Sequence, residues 1–404
     1  MNDLATSFAL AMALALVSVN PGTTYDSAAD QFSTGRDWIN AVKPGYAKYA
    51  YPHPLRDDGL PALPEGFGLA AAYPGDGGIA AAPAVLFAED FEGYVGDRIS
   101  WSELGGWDNV YGDLVITRNA VDVHAGNQAL QVTHLQPGAH GAVKQVPGQD
   151  VLFIRYYQKF SAAFPGCHHT GCYIRGGAAD ALWDNPTGVK PDGTNHFVAS
   201  FDHLSPLHGW DPPANDTPPG WSYNYCYHMD QGSNYGDVLL PSGPLDGSDL
   251  LGDDFVPRPD VAPPRDRWLC CEIMLRCNTP GQRDGRVALW IDGILVADHP
   301  NLRFRTVADL QARFATLSTY SSQVQADKVL WYDDLVVATS YIGPMAAVPA
   351  DRAIAMDLLP GCEWDCIAPA DAAVDAPAAG RQVVRVAAGQ DAVIVPLVVP
   401  VGDG

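Results

Sequence analysis

Between residues 86 and 338 the apolar residues recur at every second position in short runs, with Gly, Pro, Asn and Asp between one run and the next. Period two is the spacing of side chains on one face of an extended strand, and strands this closely spaced favour a sandwich over alternating strands and helices. The runs fall at 86–91, 130–135, 151–160, 197–201, 221–228 and 331–338. The clearest hairpin is VALWIDGILVA at 287–297, where Asp292-Gly293 supplies the two positive-φ residues of a type I′ turn. No amphipathic helix of any length interrupts the pattern. Forty glycines and 33 prolines suit a chain of many turns, and 47% apolar content supplies a sizeable core. The expectation is an all-β sandwich over 85–342, with its first and last strands side by side.

The flanks differ in character. Residues 1–22 contain a ridge, Phe8, Leu10, Met12, Leu14 and Leu16, separated by Ala9, Ala11, Ala13 and Ala15. The run is too short to cross a membrane as a helix, and Met1-Asn2-Asp3 lacks the basic lead of a signal peptide. A one-faced terminal strand buries its ridge in its own sandwich or in a neighbouring copy, which would give head-to-tail assembly. An uncleaved signal or an ordinary first strand is the plain alternative. Residues 23–84 form a turn-rich aromatic segment followed by a Gly/Pro/Ala linker. PGYAKYAYPHPL at 44–55 resembles the closing segment of secreted right-handed β-helix proteins. Residues 343–404 are an Ala/Val/Pro-rich β segment, in which 382–387 and 392–401 read as a small hairpin or another exchangeable strand.

A formal net charge of −23 argues against nucleic acid or anionic membrane as partners, since neither releases counterions to so acidic a surface. Eight cysteines show no CxxC pair and no zinc-ligand spacing. Cys167 with Cys172, and Cys362 with Cys366, lie close enough in loops to form local disulfides, as expected outside the cell. Asn215-Asp216-Thr217 is a glycosylation sequon and points the same way. Asp90 and Glu92 at the first strand, with Asp333 and Asp334 at the last, can hold a structural Ca²⁺; the same charges also serve as plain edge protection. No other cofactor is called for.

Four stretches resemble the polysaccharide lyases of family 14, and less closely the glucuronan lyases: FIRYYQKF (153–160), FPGCHHTGCYIRGG (164–177), YCYHMDQ (225–231) and RWLCCEIMLRCNTPGQRDGRVALWIDG (267–293). The resemblance covers about half the chain and implies a concanavalin A-like β-jelly roll. It places Tyr225 and Tyr227 where that family has acid/base tyrosines. Gly171 answers the motif glycine, and His168 or His169 stands where the family has a basic Lys. Elimination on a uronic acid needs a donor for the carboxylate, a base for the C5 proton and an acid for the departing O4. Arg175 suits the first role by charge and shape. Arg155, Tyr157 and Lys159 share one side of their strand and Tyr223, Tyr225 and Tyr227 one side of theirs, as a sugar cleft requires. Three functions compete: an extracellular structural protein that assembles with copies of itself by strand exchange, an active polysaccharide lyase, and a carbohydrate-binding module.

Overall fold

The computed structural model of the protein describes residues 24–26, 31–33, 61–134, 137–184, 186–204, 219–253, 255–258, 260–321 and 328–347, together with short strands beyond them. The ridge Phe8, Leu10, Met12, Leu14 and Leu16, the sequon at Asn215, and Cys362 lie outside the described residues.

A short hairpin, β1 (Thr24–Asp26) with β2 (Gln31–Ser33), precedes the sandwich. Then come β3 (Val85–Glu89), β4 (Asn109–Tyr111), β5 (Val115–Thr117), β6 (Ala129–Thr133), β7 (Gly138–Gln149) and β8 (Val151–Phe160). The chain continues through β9 (Cys172–Gly177), β10 (Phe197–Leu204), β11 (Trp221–Tyr227), β12 (Asp237–Leu240) and β13 (Gly243–Pro244). It closes with β14 (Trp268–Arg276), β15 (Gly285–Ile291), β16 (Ile294–Leu302), β17 (Gln311–Ser321) and β18 (Val329–Ala338). Sheet I has the order β13-β12-β11-β10-β9-β17-β7-β4. Sheet II runs β16-β15-β14-β8-β18-β6-β5, with β3 also on β18. Every pairing is antiparallel, and the two eight-stranded sheets make a jelly-roll sandwich.

The expected hairpin forms with Asp292 at φ 50° and Gly293 at φ 76°, between paired Ile291 and Ile294. First and last strands do lie together, with Glu89 opposite Leu335. Between the sheets Ile174, Phe197 and Phe201 of sheet I meet Ile154, Tyr156 and Ile273 of sheet II in one continuous core. Each large apolar side chain buried there contributes roughly 1.5–3 kcal/mol before entropy costs. The stretch at 61–71, read from composition as linker, is strapped to sheet II. Gly66 N donates to Gly293 O (2.7 Å), Trp290 Nε1 to Pro64 O (2.8 Å) and Ala70 N to Ile342 O (2.9 Å).

Two expectations are corrected here. Strand β8 lies between β14 and β18, so Arg155, Tyr157 and Lys159 belong to sheet II and face away from the tyrosines of β11. They are packed, not wet. His124 stacks on Tyr157 (centroids 3.5 Å apart), Lys159 Nζ donates to Val121 O (2.7 Å), and Arg155 is fully buried. The second correction concerns cysteine: Cys167, Cys172, Cys226, Cys270, Cys271 and Cys277 are all free and buried. Cys167 Sγ turns to Tyr320 O (2.9 Å) and His134 Nε2 (3.5 Å), while Cys172 faces the core from the first position of β9. Cys270 and Cys271 do point to opposite sides of β14, with only Cys271 in the inter-sheet core.

Residues 72–77 and 345–404 form a separate unit. In it β19 (Met356–Asp357), β21 (Val374–Ala378) and β22 (Arg381–Val384) pair in the order β19-β22-β21, and β20 (Asp365–Ile367) pairs with β23 (Val393–Val395). The two β-rich runs, expected to form a small hairpin or another exchangeable strand, pair with different strands rather than with each other. Cys366 lies in β20, opposite Ile394. Among the described residues no helix is long and apolar enough to cross a membrane.

Candidate active site

Cys226 of β11 points into the core, so Tyr223, Tyr225 and Tyr227 on either side of it point to the outer face of sheet I. The register carries that face across the sheet. Tyr223 is opposite Asp202, Ser200 is opposite Tyr173, and Tyr173 is opposite Thr316. The 164–171 loop enters this face along the end of β17, where His168 N and His169 N both donate to Tyr320 O (3.1 Å each).

The centre of the site is a carboxylate that the sequence reading did not single out. Asp202, 2% exposed, receives Thr170 N (2.8 Å) and Gly171 N (3.1 Å) on Oδ1. Its Oδ2 meets Ser200 Oγ (2.7 Å) and His169 Nδ1 (3.0 Å). Burial alone would raise this carboxyl. The adjacent His169, the Ser200 hydroxyl and the Thr170 amide outweigh burial and hold it below the ordinary carboxylate value. A carboxylate fixed this way orients the imidazole and accepts from Nδ1, so that in the neutral ring Nε2 is the acceptor. The signal was present in sequence. Extending the alternation of 197–201 by one residue puts Asp202 on the side of Val198 and Ser200.

Around this pair the tyrosines are graded by environment. Tyr225 N donates to Ser200 Oγ (3.1 Å), and its ring lies 5.4 Å from that of His169 and 5.4 Å from that of Tyr227. Burial, then the neighbouring Tyr227, push the Tyr225 phenol well above its ordinary value, so it stays protonated. Tyr227 OH accepts from Gly188 N (3.4 Å), under the segment that leads from β9 to β10. Tyr223 is buried with Trp221, Val238 and Leu240 rather than presented to solvent. His168 stacks on His169 (centroids 4.5 Å) and meets the edge of Tyr320 (5.3 Å).

The loop is also gripped from inside the sandwich. The Thr170 carbonyl accepts from Gln158 Nε2 and from Tyr332 OH, both reaching across from sheet II. Tyr156 OH donates to Phe201 O (3.3 Å) beside it. Gly171 has no space for a side chain: a Cβ there would lie 1.6 Å from Phe201 O.

Arg175 is not placed to meet a substrate carboxylate. Its guanidinium donates to Ala181 O (2.8 Å) and Leu182 O (3.2 Å) and stacks 4.0 Å over Phe314, all within a buried pocket. The suggested calcium ligands are not brought together as a set either. Glu92 caps the 126–128 turn, receiving Asn127 N (2.6 Å) and Gln128 N (2.7 Å), Asp334 pairs with His124 Nδ1 (2.6 Å), and Asp90 receives Glu92 N (3.1 Å). Among the described residues no group of three His, Cys, Asp or Glu is arranged to hold a metal ion.

The chain is similar to several solved structures. The alginate lyase Aly36B is 17% identical, with 66% of this chain matched to all of that one at a TM-score of 0.44. The PL-14 alginate lyase from Aplysia kurodai is 14% identical, covering 63% of this chain and 99% of its own (TM-score 0.40). The endo-β-1,4-glucuronan lyase from the fungus Trichoderma reesei is 15% identical over 65% of this chain and all of its own (TM-score 0.40). No protein-family profile matches the chain, and no curated protein matches it in sequence.

Proposed function

We propose that the outer face of sheet I is a polysaccharide site at which His169 and Tyr225 carry out β-elimination on a uronic-acid polymer. The observation that carries this reading is the His169–Asp202 pair held 3.0 Å apart beside a protonated tyrosine. In the reaction His169 Nε2 takes the C5 proton, and the electron pair left on C5 forms the C4–C5 double bond as the C4–O4 bond breaks. Tyr225 delivers its proton to O4, and Tyr227 supports that phenol. His168, stacked against the base, is the donor to the substrate carboxylate in place of Arg175. Incubation with alginate, polymannuronate and glucuronan should generate the ultraviolet absorbance of an unsaturated uronate. Tyr225→Phe and His169→Ala should each reduce the rate by about a hundredfold or more. An enzyme with no such absorbance on any of the three polymers would sink the proposal. Self-assembly through the Phe8–Leu16 ridge is a separate proposal that rests on its alternating pattern. Charged residues at Leu10 and Leu14 should then leave a folded, unassembled subunit, and a monodisperse wild-type monomer would refute it.

A further inference from the structure

Trp101 and Trp183 come from distant segments and stack on the surface, with ring centroids 5.4 Å apart and an interplanar angle of 22°. Yet Trp101 is 58% exposed and Trp183 62%. Indoles left so open forgo most of the burial free energy that a packing role would return, and adjoining exposed aromatics mark a binding surface. Both rings are carried on hydrogen-bonded turns. Trp183 ends a 3₁₀ turn, Ala181–Trp183, whose first two carbonyls are the ones Arg175 holds. Ala181 packs there against Val143 and Phe314 on the outer face of sheet I. Trp101 sits in a turn closed by Glu103 N to Ser100 O (2.9 Å). The guanidinium that is unavailable to a uronate therefore holds the turn that carries Trp183 beside the same face. Phe314 is on β17, three strand spacings from Tyr225 on β11, roughly 14 Å at about 4.8 Å per strand.

We propose that the Trp101–Trp183 stack is a platform for a pyranose ring of an oligosaccharide lying along sheet I. The C–H face of a sugar ring is flat and apolar, and an indole offers it a wide π surface while the hydroxyls stay in water. The inference rests on the reading of this face as a polysaccharide site and not on the elimination chemistry.

The test is a titration of the full chain carrying His169→Ala with an alginate hexasaccharide and with cellohexaose, followed by calorimetry and by tryptophan fluorescence. Binding of at least one sugar is expected, with a change in indole emission. Trp183→Ala and Trp101→Ala should each weaken it about tenfold, and Trp183→Tyr should recover part of the loss without altering the unfolding midpoint. Binding unchanged in Trp183→Ala, or absent for both sugars in the parent, overturns the platform. So does a concentration-dependent dimer that Trp183→Ala dissociates, since the stack would then be a contact between copies. Elimination with an unaltered KM in Trp183→Ala removes the platform and leaves the lyase reading. Trp-dependent binding with no elimination on any uronate polymer does the reverse.

Discussion

Replacing Asp202 by Asn keeps the shape of the side chain and changes the sense of two hydrogen bonds. The carbonyl oxygen of Asn can keep the amides of Thr170 and Gly171, now at 2.8 and 3.1 Å. The new NH₂ must then face Ser200 Oγ and His169 Nδ1, which lie 2.7 and 3.0 Å from the present carboxylate oxygen. Ser200 already accepts from Tyr225 N, and His169 can accept at Nδ1 only by moving its proton to Nε2. The base position becomes a donor. Two hydrogen bonds to a charged acceptor are worth about 1.5–3 kcal/mol each, and removing a buried charge returns part of that, so a net loss of about 1–3 kcal/mol is expected at neutral pH. The sign with pH follows from the depressed Asp202 value. Such a group stabilises the fold above its unfolded pKa of about 4, and the contribution vanishes as pH falls through the lower folded value. Urea unfolding of wild type and Asp202→Asn should therefore show a gap at about pH 7 that begins to narrow only as the pH falls below about 4. Activity at neutral pH should fall at least about a hundredfold. A gap that is absent at neutral pH, or that persists unchanged in acid, would falsify this account of the pair.

Two further outcomes concern Gly171 beside this pair and Glu272 on the other sheet. Gly171→Ala drives a Cβ to 1.6 Å from Phe201 O, so β9 and β10 must part where Gly171 N holds Asp202. A loss of about 1–3 kcal/mol or more is expected by chemical denaturation, together with the loss of activity; a variant as stable as the wild type would refute the close approach. Glu272 sits buried with its oxygens on Ile342 N and Gly343 N (2.8 Å each), and burial pushes its carboxyl up to about 7. An acid raised in the folded state stabilises below its unfolded value, and that contribution is lost as pH rises through about 7. Relative to wild type, Glu272→Gln should gain about 3 kcal/mol between about pH 4.5 and about pH 8, and a difference that does not change with pH would contradict it.

The strands and their faces were legible because period two and turn chemistry are local. Asp292-Gly293 announced its hairpin, and the alternation in β8 and β11 was read with the correct parity. Which sheet each strand joins is decided by partners far away in the chain. Parity alone therefore put Arg155, Tyr157 and Lys159 on the same wet face as Tyr223, Tyr225 and Tyr227, whereas β14, β18 and the 121–125 segment enclose the first three. Charge type likewise nominated Arg175 as a carboxylate donor, but the carbonyls that occupy it come from a turn whose return path no local pattern encodes. His169 was legible as a candidate and its orienting carboxylate was not, because the strand at 197–201 was ended one residue short of Asp202.

The double grip on the Thr170 carbonyl by Gln158 and Tyr332 makes the far wall of the molecule a co-author of the near one. Two buried residues help decide where His169 stands, so the histidine is not re-aimed by editing its own loop alone. Diversification of such a site is channelled outward, to the segment over Tyr227 and the exposed turn that carries Trp183. The His169–Asp202 pair itself shifts only when the opposite sheet shifts with it.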